Sequence, residues 1–232
     1  MRYELIDKPD YGMVLVTFEA AGESIVAEAG AMVARDVGVK MQTALQGGPG
    51  GAFQRGVLGG ESFFLNTFTA SAPEERLYLA PAPEGDLDRF TLEEGEELIL
   101  QRGSFVAAEP TVEVAIRSEG FKGLLSGEGL FFLRCHGAGD LFFNTYGGLH
   151  RIELDGSGHY VVDTSHVVAF TAGLDYNINK IGGIKSLLFS GEGLVCEFRG
   201  RGSLWVQTRS PDSLASFLHL FRPVESKERR SD

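Results

Sequence analysis

The chain has 232 residues and carries 21 Lys and Arg against 32 Asp and Glu, a formal net charge of -11 at neutral pH. Such an acidic chain repels phosphates, so we expect no nucleic-acid partner. The first residues hold no apolar run typical of a secretory signal, and no stretch approaches the roughly 18 apolar residues of a membrane span. We therefore expect a cytoplasmic protein.

Glycine is unusually frequent. The 31 glycines among 232 residues are nearly twice the usual share of about 7%. Tight turns, bulges and close backbone approaches use glycine, which favours an all-β fold of many short strands. The two cysteines, Cys135 and Cys196, have no CxxC spacing, so we interpret both as small buried side chains in a reducing compartment.

Three blocks of sequence recur in the same order three times. The first block reads GESIVAEAGAMVA from Gly22, GEELILQRGSFVA from Gly95 and GHYVVDTSHVVAF from Gly158. The second contains an aligned glutamate at Glu61, Glu128 and Glu192, and the third reads RLYLA, DLFFNT and SLWVQT. We predict three repeats at 12–80, 92–147 and 156–209, related by approximate threefold symmetry within one domain over 1–223.

The periodicity inside the repeats is that of β-strands. Val37, Val39 and Met41 alternate with polar or small residues, which predicts a strand with one buried face. Three continuous apolar runs predict strands covered on both faces. They are Leu98–Leu100, Leu141–Phe143 and Leu204–Val206. Sheets packed on sheets, as in a β-sandwich, follow from these patterns.

One helix is predicted near the C-terminus, over residues 211–221. Ser210 is a favourable N-cap and Pro211 fits the first helical position. The apolar residues of this segment are Leu214, Phe217, Leu218 and Phe221. Residues 224–232 are charged and are predicted to form a disordered tail.

Several of these motifs resemble a known family. GGESFFLNTF, the YLAPAPEGD turn and the pair GFKGLLSGEGLFF and GIKSLLFSGEG are similar to bacterial members of the mitochondrial-biogenesis family named for altered inheritance of mitochondria. The resemblance extends from Tyr3 to about Phe221. It implies an internally triplicated β-sandwich like that of the tryptophan RNA-binding attenuation protein. The bacterial members have no settled biochemical role, and the sequence shows no presequence that would imply a mitochondrial one.

Catalytic motifs do not emerge. The sequence contains neither a GxSxG nucleophile elbow nor a P-loop, and we expect no catalytic residue, cofactor or metal site. The closest histidines, His159 and His166, are seven positions apart, so on one strand they would face opposite sides. The aligned Glu61, Glu128 and Glu192 leave two interpretations open, a carboxylate cluster for a cation or basic partner, or turn glutamates that accept backbone N–H bonds.

Aromatic residues also have two interpretations. Stacking on single-stranded RNA would use exposed rings, whereas strand-like context favours the core. The residues concerned are Phe63, Phe64, Phe131, Phe132, Phe142 and Phe143. We predict that they are core residues.

A candidate interaction surface lies just before each aligned glutamate, where apolar residues flank a cation. Its residues are Phe53, Arg55, Phe121, Lys122, Leu124, Leu125, Ile184, Lys185, Leu187 and Leu188. Internal symmetry would bring these segments to one end of the molecule, as an interface with copies of the chain, with an unknown protein or peripherally with a membrane. The alternative is that the leucines close the ends of the sandwich core.

The sequence thus favours a non-enzymatic binding or scaffold protein that forms a homo-oligomer. Two alternatives stay open. One is an RNA- or small-ligand-binding regulator, which rests on fold analogy and is opposed by the charge. The other is an uncharacterised enzyme whose pocket the sequence conceals.

Overall fold

The structure, a computed structural model, describes residues 1–45, 64–116, 132–180 and 194–222. These residues form an all-β fold with one short helix, which confirms the predicted fold class. In chain order the strands are β1 (Arg2–Ile6), β2 (Met13–Thr17), β3 (Ser24–Glu28), β4 (Met32–Arg35), β5 (Lys40–Leu45), β6 (Phe64–Thr69), β7 (Arg76–Leu79), β8 (Leu87–Leu92), β9 (Glu97–Gln101), β10 (Phe105–Ala108), β11 (Glu113–Ile116), β12 (Phe132–His136), β13 (Gly139–Asn144), β14 (Leu149–Asp163), β15 (Val167–Thr171), β16 (Leu174–Lys180) and β17 (Leu194–Gln207), followed by the helix α1 (Pro211–His219).

The strands fall into three groups with the same pairing pattern. Group 1 is β2 to β7, group 2 is β8 to β13, and group 3 is β14 to β17, in which two long strands each count as two halves. Each group thus has six strands or half-strands, numbered here in chain order. The sixth strand lies between the first and the third and pairs with both. The fifth strand lies between the second and the fourth and pairs with both. All of these pairs are antiparallel. Superposition of the three groups in space stays a prediction.

The third strand of each group carries a β-bulge at the same place. In β4 the register shifts between Met32 and Ala34, which leaves Val33 as the extra residue. The same shift makes Val106 the extra residue in β10 and Val168 the extra residue in β15. A bulge bends its strand and increases the local twist, so each group has a bent strand at the same position in its order.

Neighbouring groups share sheets. β3 of group 1 pairs with β10 of group 2, and β9 of group 2 pairs with β15 of group 3. Each pairing joins three strands of one group to three strands of the next. The first composite sheet has the order β5-β6-β3-β10-β13-β8, and the second has the order β11-β12-β9-β15-β17-β14.

Two half-sheets remain at the ends of this arrangement. The first contains β4, β7 and β2 of group 1, extended by β1. The second contains β16, the first half of β17 and the second half of β14. Three hydrophobic clusters pack between the successive sheets and half-sheets. The groups are therefore held together by shared backbone ladders as well as by shared cores.

The burial of the strands follows their sequence patterns. β2 alternates, with Val14 and Val16 buried and its other residues half-buried. The predicted continuous runs in β9 and β13 are buried on both faces, which confirms that prediction. Phe132, Phe142 and Phe143 are also in the core as predicted, whereas the side chains of Phe63, Phe64 and Phe131 lie outside those described.

Glycines make the turn between the fifth and sixth strands possible. Gly137 follows β12 with φ +111°, and Gly200 lies between the two halves of β17 with φ +102°. A Cβ on Gly200 would lie 2.6 Å from the carbonyl oxygen of Gly173. These positions need the left-handed backbone that only glycine adopts without strain.

Four predicted boundaries differ from the structure. Val37 belongs to a turn and is 98% exposed, so it does not share a buried face with Val39; the strand begins only at Lys40. The predicted repeat starts at 92 and 156 fall within β8 and β14. The helix ends at His219, two residues before the predicted end, and the predicted tail at 224–232 lies outside the described residues.

Candidate interaction surfaces

The interaction residues predicted from the sequence fall outside the described part of the chain. They are Phe53, Arg55, Phe121, Lys122, Leu124, Leu125, Ile184, Lys185, Leu187 and Leu188, with the aligned Glu61, Glu128 and Glu192. All of them belong to the connections 46–63, 117–131 and 181–193. Each connection joins the fourth and fifth strands of one group, which are antiparallel neighbours. Their role as interface or as core stays a prediction.

The first candidate surface is the free edge of β4. Within the described chain, β4 pairs only with β7. Met32 is 40% and Val33 58% exposed, although both are apolar. At the matching place in group 2, Phe105 and Val106 are fully buried, and the next two residues, Ala107 and Ala108, pair with β3. The edge of β4 thus exposes apolar residues at positions that are buried in group 2, with no second strand beside it in the described part of the chain.

The second candidate surface is the free edge of β14, along its second half at 159–163. Among the described strands this half pairs only with β17. Tyr160 is 40% and Val161 57% exposed. The matching residues of group 2, Leu98 and Ile99, are buried and pair with β15 in the same sheet. Each end of the arrangement of groups therefore presents an apolar sheet edge.

The helix α1 forms a third exposed apolar surface. The Ser210 hydroxyl accepts a hydrogen bond from the Ser213 backbone N–H at 3.3 Å, which confirms the predicted N-cap. The apolar side chains of this segment that are exposed are Leu214, Phe217, Leu218, Leu220 and Phe221. The rings of Phe217 and Phe221 contact each other edge to face, with 5.1 Å between their centroids.

The two thiols are poorly suited to chemistry. Cys135 and Cys196 are fully buried and unpaired, as predicted. Burial raises the pKa of each thiol to about 12. Since the thiolate is the nucleophile, both side chains act at neutral pH as small apolar groups.

The histidines have separate partners. His159 Nδ1 lies 2.7 Å from a carboxylate oxygen of Glu197, and His166 Nδ1 lies 2.8 Å from the carbonyl oxygen of Gln207. In the described ranges no group of three or more His, Cys, Asp and Glu side chains is arranged to hold a metal ion. His159 and His166 therefore do not form a pair of ligands.

Polar groups lie where group 1 meets group 2. The Tyr3 hydroxyl donates to Glu109 Oε1 at 2.7 Å, which ties β1 to the residue that follows β10. Glu28, at the end of β3, is half-buried, and its burial raises the pKa of its carboxyl to about 7, against a smaller opposing effect of Arg102. Glu28 is therefore a titratable group at a junction between groups.

A cleft of about 230 Å³ lies where group 2 meets group 3. Its polar lining includes Gln101, Ser104, Asn144, Ser165 and Gln207. The Asn144 side chain is 1% exposed, and its Oδ1 has no hydrogen-bond partner among the described residues. Asn144, one of the residues that line the cleft, thus brings a buried acceptor without a partner among the described residues to this site.

Sequence reasoning missed both free edges. The signal was present, since GAMVA of β4 aligns with GSFVA of β10. Apolar patterning identifies the buried face of a strand, but it does not identify the strand that lies beside it. Only the pairing between groups reveals that, among the described strands, β4 and the second half of β14 each lack a neighbour that their counterparts have.

Comparisons with known proteins place the chain in a family. The family described as "Mitochondrial biogenesis AIM24" matches over residues 3–209, which confirms the resemblance seen in the motifs. An uncharacterised protein of Streptococcus pyogenes serotype M6 is 32% identical over 235 residues, covering 97% of this chain and 93% of that protein. A crystal structure of a Streptococcus pyogenes protein is similar with a TM-score of 0.79 and 29% identity, over 95% of this chain and 99% of that one. In the described part of the chain, no helix is long and apolar enough to cross a membrane. The chain belongs to the AIM24 mitochondrial biogenesis family.

Proposed function

We propose that the protein is a non-enzymatic scaffold or binding protein that acts through protein–protein contacts and forms a homo-oligomer. The observation that supports this proposal is the placement of exposed apolar side chains at two sheet edges and on α1. Exposed β edges pair readily with other chains, and natural monomers usually protect them with charges, bulges or a covering element. The edge of β4 carries a bulge, yet it still exposes Met32 and Val33, and the edge of β14 exposes Tyr160 and Val161. Apolar side chains at sheet edges therefore favour a function in assembly.

The buried thiols support the same proposal. Cysteine nucleophiles of enzymes are accessible and have a lowered pKa. Cys135 and Cys196 have the opposite properties, since both are fully buried and have a raised pKa. Two unpaired thiols also suit a reducing compartment, and we place the protein in the cytoplasm on that basis.

The proposal is tested by the mass of the purified protein in solution. Size-exclusion chromatography with multi-angle light scattering should give a whole multiple of 25.1 kDa greater than one at micromolar concentration. A single monomeric mass at that concentration would contradict the homo-oligomer.

Small-ligand binding is a second candidate function, favoured by the cleft with the unpartnered Asn144. The lining is mostly uncharged, which suits a small neutral molecule with hydroxyl or amide groups. Millimolar neutral sugars and amides should raise the melting temperature of the wild-type protein, and Asn144→Leu should abolish the shift. An equal or absent shift in both proteins would exclude this candidate.

A further inference from the structure

We propose that the second half of β14 in one copy pairs antiparallel with β4 of a second copy, so that copies join head to tail. This inference rests on the proposed function and names the surface, the partner and the register of the self-association. It uses two different edges of the same chain. The contact is therefore heterologous, and each copy keeps one edge for the copy before it and one for the copy after it.

The two half-sheets are complementary. Each composite sheet within the chain contains the fourth, fifth and second strands of one group and the third, sixth and first strands of the next. The half-sheet of group 3 supplies β16 with the halves of β17 and β14 that match the first set. The half-sheet of group 1 supplies β4, β7 and β2, which match the second set. Joined across two copies, they make a third sheet with the strand order of the other two.

The internal junctions have the same register. At the first junction Ala107 lies opposite Ala27, and the next pair is Ala108 with Val26. At the second junction Ala169 lies opposite Leu100, followed by Phe170 with Ile99. Counted from the bulge residues of each group, Val33, Val106 and Val168, both junctions pair equivalent positions.

This register fixes the contact between copies. Ala34 of one copy lies opposite Val162 of the other, and Arg35 lies opposite Val161. The four residues are on the two free edges, and Arg35 and Val161 are exposed in the single chain. Antiparallel pairing provides partners for the backbone N–H and C=O groups that face outward from both edges.

The bulge valines explain why the occupant is a second copy. Val106 of group 2 packs in the cluster of group 1, and Val168 of group 3 packs in the cluster of group 2. Val33 is the equivalent residue of group 1 and is 58% exposed. The described members of the group 3 cluster include no bulge valine from a following group. Val33 of a second copy is the residue that the repeated pattern supplies there.

A charge introduced at Val33 provides the first test. Val33→Lys should leave the single chain folded, because the side chain already faces solvent, and should convert the oligomer to a monomer, because the lysine would be buried in the next copy. Val37→Lys is the matched control. Val37 is 98% exposed, and its counterparts at the covered junctions, Pro110 and Ala172, are also exposed. The control should retain the wild-type mass in light scattering.

Engineered cysteines provide the second test. Arg35→Cys and Val161→Cys chains, mixed and oxidised with diamide, should form a disulfide-linked heterodimer on a non-reducing gel, since paired strands bring Cα atoms within disulfide range. Each variant oxidised alone should stay uncrosslinked. The native thiols are buried and do not compete.

The results separate this inference from the proposed function. A monomeric wild-type protein would contradict both. An oligomer that survives Val33→Lys and gives no mixed disulfide would overturn the head-to-tail pairing while leaving the scaffold function in place. Crosslinking of the Arg35→Cys variant with itself would show that β4 of one copy lies against β4 of another, and would also overturn the inference.

Discussion

Glu28 shows how a single side chain reports on a junction between groups. Its carboxyl is half-buried at the end of β3, and burial raises its pKa to about 7 from the ordinary value of 4.5. The folded protein therefore holds this proton more tightly than the unfolded chain does. The raised pKa therefore stabilises the folded protein fully below pH 4.5. This contribution is lost as the pH rises through 7, because the Glu28 carboxyl must then ionise in a partly buried position.

Glu28→Gln should therefore stabilise the protein at pH 8, by about 1 to 2 kcal/mol after allowance for solvent screening. The amide resembles the protonated carboxyl, so the gain should vanish at pH 4.5. Urea unfolding at both pH values measures the difference. Glu94→Gln, at an exposed turn, is the control and should change little at either pH. An equal effect of Glu28→Gln at both pH values would show that burial does not govern this group.

At the scale of elements, the turn between the fifth and sixth strands depends on glycine. Gly200→Ala should lower the free energy of unfolding by about 2 to 4 kcal/mol, because the backbone is left-handed there and the new methyl group meets the Gly173 carbonyl. Chemical denaturation measures the loss.

Gly158→Ala is the matched control in the neighbouring long strand. Its Cβ would meet nothing within 4 Å, so its effect should stay within about 1 kcal/mol. If the two variants lose equal stability, the close approach at Gly200 is not what requires glycine.

The same scale shows how far the sequence predicts the fold. Runs such as Leu98–Leu100 and Leu141–Phe143 were predicted to be buried on both faces and are, because a strand that is covered on both faces needs apolar side chains on each of them. The strand predicted from Val37 was wrong at its start, since alternation continues through a turn that the chain makes before Lys40. The free edges were missed because partners across groups are set by tertiary pairing.

The whole molecule carries a net charge of -11. A resemblance to an RNA-binding fold does not overcome this charge, because phosphate binding depends on the release of counterions by Lys and Arg. Fluorescence anisotropy with a generic single-stranded RNA at physiological salt should show no binding at micromolar protein. Micromolar affinity with a steep dependence on salt would contradict this prediction.

Assembly is the central claim at this scale, and it concerns backbone groups on β4 and β14. Hydrogen exchange measured by mass spectrometry reports directly on those groups, because amides in a paired strand exchange slowly and those on a free edge exchange fast. The peptides that contain residues 33–36 and 160–163 should exchange slowly in the wild-type protein and in Val37→Lys, and fast in Val33→Lys. Fast exchange of both peptides in all three proteins would contradict the pairing of copies through these edges.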